Sequence, residues 1–148
     1  MNHVLAPVPA VHLPSAEATF AAQGRVAFGS DAWTFWLKQV ALETCVWIVA
    51  SATDFPKAGL PRIDPGKVIF RGTLIGTVEA DRRHRHPDPA LRPANPATFG
   101  ASAMFFELAD LVRLAPPLPV LRLATLQGIR LQRVPQGPLA IRDPEAKP

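Results

Sequence analysis

The side chains best equipped for chemistry lie in one hexapeptide, Asp81-Arg82-Arg83-His84-Arg85-His86, the densest basic run in the chain. Guanidinium forks match the oxygens of a phosphate group, so such a run points first to a nucleic-acid backbone. Arg71, Arg82, Arg83, His84 and Arg85 are expected to share one rim, with Trp47 and Phe70 beside it as stacking surfaces for an unpaired base. Phe99 is a third aromatic of this kind. The competing assignment puts Trp47 and Phe70 in the core and leaves the arginines solvated. His84 and His86, flanked by Asp81 and Asp88, would offer two imidazoles to a metal. No third ligand follows at a recognisable spacing, and three arginines crowd the position, so neither a metal nor another cofactor is expected. None of Ser15, Ser30, Ser51 and Ser102 occupies a nucleophile elbow, and Gly66, Gly72 and Gly76 lack the spacing of a phosphate-binding loop. A binding protein is therefore the first reading and an enzyme the lesser one.

Charge distribution supports that order. The chain has 148 residues and a formal charge of +4, with hydrophobic residues making up 48%. Residues 1–80 carry six basic and six acidic side chains, so the whole excess falls in residues 81–148. Such asymmetry favours an anionic partner, nucleic acid before a membrane surface. The single cysteine, Cys45, excludes an internal disulfide and sits in an apolar run, where an inert thiol is expected. Residues 1–22 are apolar but contain no Lys or Arg and are broken by Pro7, Pro9 and Pro14. That pattern fits neither a secretory leader nor a membrane span, and a cytoplasmic protein is expected.

Seventeen prolines divide the chain into short elements, which favours a β-rich α+β fold with one or two flanking helices. Residues 1–22 read as a proline-rich arm, 23–142 as a single domain and 143–148 as a tail. Within the domain, 23–29 is a short strand. Ser30-Asp31 caps a helix over 32–42 that puts Trp33, Trp36, Leu37 and Val40 on one face. Residues 43–51 are a buried strand and 55–65 a loop. After the turn at Pro65-Gly66, strands over 67–71 and 73–80 flank Gly72, which permits a hairpin or a bulge, and Gly76 inside the second strand suggests a bulge or a close backbone approach. Residues 81–100 form a long polar loop. A strand over 103–114 stops at Pro116-Pro117, 119–126 is helical or a turn, and strands over 129–134 and 138–142 follow.

Several of these segments resemble one family. Pro65-Gly66-Lys67-Val68-Ile69-Phe70-Arg71, then Leu74-Ile75-Gly76-Thr77-Val78-Glu79, resembles the central hairpin of PUA-like domains, especially the EVE and ASCH branches. His86-Pro87-Asp88-Pro89 is similar to the segment that follows it in EVE proteins. Phe105-Phe106-Glu107-Leu108, the proline-marked exit at 114–120, and Ile129–Pro135 resemble the later strands. The likeness covers about residues 44–142. It implies a small open pseudo-barrel with a cleft, and a non-catalytic module binding RNA or DNA with a modified base. In that reading Arg71, Arg82, Arg83 and Arg85 contact phosphates, and Trp47 or Phe70 lies near a base pocket. Two alternatives are a structural subunit docking protein partners through 1–15 or 81–100, and a small nucleoside or amide hydrolase using Lys67 or a carboxylate such as Glu79.

Overall fold

The structure, a computed structural model, describes residues 2–51, 65–93 and 102–146. Residues 55–64 of the expected 55–65 loop, the later part of the 81–100 loop and Phe99 lie outside those residues. Eight elements carry the fold: β1 (His3–Pro9), α1 (Ala16–Gln23), β2 (Val26–Ser30), α2 (Trp33–Lys38), β3 (Cys45–Ser51), β4 (Lys67–Glu79), β5 (Met104–Pro119) and β6 (Leu139–Ala140). The six strands make one mixed sheet in the order β2-β5-β4-β3-β1-β6, in which only β1 and β3 run parallel. The expected β-rich α+β class is what the chain adopts.

Its two ends differ from the sequence reading. Residues 3–9, read as part of an arm, are extended but sit inside the sheet, hydrogen-bonded to β3 with Val4, Leu5, Ala6 and Val8 buried. Proline tolerates this place because each strand offers only alternate amides to a neighbour, and β6 covers only Val4 and Leu5 on the other edge. Helix α1 was not expected at all. Four of its eight residues are alanine, Glu17 sits in its first turn, and Gly24 ends it with φ 75°. Its buried residues, Ala16 and Thr19, are too small to print a hydrophobic period in the sequence.

The central unit is also different. Of the two alternatives at Gly72 the hairpin does not form: β4 runs unbroken through it, pairing with β3 on one side and β5 on the other, and the β5 ladder shifts register between Arg71 and Thr73 as for a bulge. Three register shifts interrupt the β4–β5 ladder, after Val68, Arg71 and Leu74. Each shift adds twist and bends the pair. The first also puts neighbouring Ile69 and Phe70 into the same core cluster, which explains the imperfect alternation of this stretch. Strand β5 continues past Pro116-Pro117 to Pro119; β2 covers only Met104–Leu108, so its distal half is an edge where proline costs no ladder bond. The strand expected at 129–134 reduces to one isolated bridge, Arg130 to Ala124. Helix α2 is shorter than expected; Trp36 is buried on it, stacked 4.2 Å from Phe106 with its indole N–H donating to Ser30 Oγ, while Leu37 is exposed.

The main core lies on the inner face of the sheet, where Val4, Ala6, Phe28, Ile48, Phe70 and Leu108 meet Leu13, Ala16 and Trp36. Two smaller clusters occupy the outer face. One centres on Leu5, Trp47 and Val49 under Val120, Leu123 and Ile141; the other joins Ala27 and Phe105 to Leu91. Strands β1 and β2 stand fifth and first in the sheet, yet Val8, Pro9, Phe28 and Gly29 line one cavity. The sheet therefore curls until these two strands face each other without being paired. Among the described residues no helix is long and apolar enough to cross a membrane.

Candidate nucleic-acid interface

The gap between β1 and β2 holds two cavities. One, of about 170 Å³, is bounded by Val8, Pro9, Phe28 and Gly29 of the two strands and by His12, Arg92 and Ser102. The other, of about 260 Å³, is bounded by Pro7, Ser30, Asp31 and Gln136, with Gly29 and Ser102 as the wall common to both. Gly29 permits the close approach: a Cβ there would stand 2.2 Å from Ser102 Oγ. Asp31 fixes the same corner by accepting from the Ala103 amide at 2.9 Å.

Arg92 brings charge to this place. It is buried, its guanidinium lies 4.9 Å over the Phe105 ring, and Nη1 donates to the Ala27 carbonyl at 2.7 Å. That bond covers part of the outer edge of β2, which pairs with no strand among the described residues, and Thr19 Oγ1 donates to the Arg92 carbonyl from α1. Burial pulls the guanidinium down to about 10, so it still carries its charge at neutral pH.

The basic turn adjoins the cavities. Asp81 Oδ1 accepts from the amides of Arg83 (2.8 Å) and Arg85 (3.0 Å), and the Asp81 amide donates to the Arg85 carbonyl. These bonds close a tight turn in which His84 takes φ 60° and the side chains of Arg82, Arg83, His84 and Arg85 are exposed. The amides of Arg85 and Arg83 hold the Asp81 carboxyl below its ordinary range. The Ser102 amide donates to the His84 carbonyl at 3.1 Å, so the turn is joined directly to the shared wall of the cavities.

The other expected site residues are elsewhere. Arg71 lies eight residues of β4 from its C-terminal end, roughly 25 Å along the strand. There it stands opposite Trp47, 5.8 Å from the indole centroid, with Nη1 3.9 Å from Glu145. Trp47 is 2% exposed and donates to His3 Nδ1; Phe70 is fully buried in the other core. Neither aromatic offers a face to a base, and the single rim expected for Arg71 with the turn does not form. Cys45 lies near Arg71, and burial pushes its thiol up despite that charge.

His84 and His86 are not side by side either. His86 is buried, its Nδ1 accepts from the Asp88 amide at 2.8 Å, and its ring proton therefore sits on Nε2, 2.8 Å from Glu107 Oε2. With both ring nitrogens engaged, the pair braces the outer face under the basic turn and leaves no nitrogen for a substrate. Arg25 approaches the second Glu107 oxygen at 3.5 Å. Lys67 and Glu79, named for the hydrolase alternative, stand at opposite ends of β4. Among the described residues no group of three or more His, Cys, Asp or Glu is placed to hold a metal.

His12, Gly29, Asp31, Arg92, Ser102 and Gln136 were not singled out in the sequence for binding. They come from five separated stretches, around residues 12, 29–31, 92, 102 and 136, that only the curl of the sheet brings together. The nearest sequence signal was the long polar loop expected over 81–100, in which Arg92 lies. No protein-family model and no curated protein matches this chain.

Proposed function

We propose that the protein is a non-catalytic module that binds RNA or DNA, taking one unpaired or modified base into the gap between β1 and β2 while Arg82, Arg83 and Arg85 hold adjacent phosphates. The observation that carries this reading is the Ser102–His84 bond, which sets an exposed triple-arginine turn against the wall of the two cavities. Each cavity is smaller than the roughly 300–1,000 Å³ usual for a small-molecule pocket. A single heterocycle fits that size when the rest of its polymer stays outside. Arg92 supplies a buried cation and Ser30, Asp31, Ser102 and Gln136 supply polar groups for the edges of such a ring. The curled mixed sheet is compatible with the PUA-like pseudo-barrel that the sequence resembles, and we adopt that assignment as part of the proposal.

The test is fluorescence anisotropy with labelled single-stranded RNA and DNA across a salt series. Each phosphate contact on a single strand adds about 0.7 to the slope of log affinity against log salt, so replacing Arg82, Arg83 and Arg85 by alanine lowers it by about 2. Arg71→Ala, remote from the turn, leaves the slope unchanged. Ser102→Leu, which fills the shared wall, weakens binding on the order of tenfold at constant slope, since it removes base contacts and keeps phosphate contacts. Absence of binding at low salt, or an unchanged slope in the triple variant, refutes the proposal.

A further inference from the structure

A second surface stands apart from that gap. From Leu111 to Arg142 the chain carries Arg113, Arg122, Arg130, Arg133 and Arg142 and no acidic residue, and beyond Phe106 it contains no aromatic residue. Part of this stretch folds as a narrow turn at 124–130. Ala124 bridges Arg130, the Thr125 amide donates to the Ile129 carbonyl at 2.9 Å, the Ile129 amide donates to Thr125 Oγ1 at 3.2 Å, and Gly128 adopts φ 86°. Arg142 packs on the turn, with Nε 3.4 Å from the Leu126 carbonyl and its guanidinium carbon 3.1 Å from where a Cβ on Gly128 would fall. The tip thereby displays Leu126 and Ile129, 49% and 65% exposed, bracketed by the exposed arginines Arg130 and Arg142.

We propose that this tip is a docking surface for an acidic peptide segment of a partner protein, one that carries aliphatic or aromatic side chains among its carboxylates. Charge complementarity selects the acid: guanidinium forks bind carboxylates in two-point fashion, and the nearest acidic residue along the chain, Asp143, faces His3 instead. The two aliphatic side chains select a peptide over a nucleic acid, because bases stack on aromatic rings and this stretch has none. A membrane surface is disfavoured because interfacial binding takes an amphipathic helix with a broad apolar face, whereas this tip is a short turn with two apolar side chains. The hydrogen-bonded turn is already rigid, so ordering it adds little cost on binding.

The experiment is selection of a random peptide library displayed on phage against the whole protein. Selected peptides are then measured on wild type, on Leu126→Ser/Ile129→Ser and on Arg130→Ala/Arg142→Ala. Enriched sequences should combine Asp or Glu with apolar residues, and their affinity should fall on the order of tenfold in each variant, as for central interface anchors. The Leu126 and Ile129 changes are at exposed positions and should leave the melting temperature nearly unchanged. No enrichment, enrichment of peptides lacking acids, or affinity indifferent to the variants overturns the proposal. It is also overturned if anionic lipid vesicles, a single-stranded oligonucleotide or self-association, rather than a peptide, is what the Leu126→Ser/Ile129→Ser variant loses. Binding at the β1–β2 gap stays intact in these variants, so the two proposals fail separately.

Discussion

Gly29→Ala tests the closure on which the candidate interface depends. The new Cβ would stand 2.2 Å from Ser102 Oγ, 2.9 Å from Ser102 Cβ and 3.4 Å from the Phe105 ring. Carbon atoms rest at about 3.5–4.0 Å. Rotation about χ1 can remove the hydroxyl, but Ser102 Cβ moves only with its backbone. That backbone is tied on both sides, through the Ser102 amide to His84 and the Ala103 amide to Asp31. Overpacking of this kind costs about 1–3 kcal/mol, of which about 0.4–1 kcal/mol is returned by the reduced freedom of alanine in the unfolded chain. Gly29 is not in the left-handed region, so the cost is steric alone.

A net loss of about 1–2 kcal/mol lowers the melting temperature by about 2–8 °C for a chain of this size. The decisive measurement is the double variant, because Ser102→Gly removes both short contacts and leaves only the acceptable one to Phe105. Urea denaturation of the four proteins in the cycle should give a favourable coupling of about 1–2 kcal/mol between Gly29→Ala and Ser102→Gly. A Gly29→Ala protein as stable as wild type, or a double variant no better than the sum of its parts, shows that β2 does not close on Ser102 and that the cavities do not share that wall.

Three further outcomes follow from the outer face. Glu107→Leu strands the buried His86 Nε2–H and should cost about 1–3 kcal/mol by denaturation, whereas Glu107→Gln keeps an acceptor for it and should cost less; equal losses would show that the hydrogen bond is not what matters. The Asp81 carboxyl titrates below its unfolded value, so its support of the basic turn is fully present above the unfolded pKa of about 3.9 and disappears as pH falls through the lower folded value; a carboxyl-carbon NMR titration should place Asp81 lower in the folded than in the unfolded protein, and Asp81→Ala should remove the ordered turn at all pH values. His3→Ala leaves the Trp47 indole N–H without its acceptor and should destabilise by about 1–2 kcal/mol with altered tryptophan fluorescence, whereas Glu145→Ala, which breaks a long pair between half-exposed groups, should change stability by less than about 0.5 kcal/mol.

The parts of the fold that the sequence disclosed are those where side-chain pattern and local backbone agree. β3 is a run of β-branched and aromatic residues, and the structure places it within one or two residues of expectation. The turn at Pro65-Gly66 and the extended backbone on either side of Gly72 were equally plain, although the two stretches form one strand, β4. What failed had a common cause, which is tertiary context. β1 has the prolines of an arm but is held by pairing to β3; α1 buries only small residues; β5 carries its prolines along an unpaired edge. A local rule about proline speaks to the single strand, and only the neighbouring strand decides whether a missing amide matters.

The candidate site divides along the same line. The basic turn was legible because a charge run is contiguous in sequence, and Asp81, which shapes it, belongs to the same run. The cavities were not legible, because their walls come from β1, β2, the 3-10 turn at 10–12, Arg92, Ser102 and the 136–138 turn. Arg71 shares a rim with the turn only if its strand is paired with the strand that leads into the turn, whereas in the structure both stretches belong to β4. A strand of thirteen residues separates its ends too widely for that, and the face on which Arg71 and Trp47 meet is occupied by the C-terminal segment through His3, Asp143 and Glu145. Arg82, Arg83 and Arg85 stand on a solvated turn beside the gap, Arg71 over Trp47 near Glu145, and Arg130 and Arg142 at the exposed tip over 124–130. A total charge of +4 does not separate these, whereas the salt slope, measured on one group of arginines at a time, does.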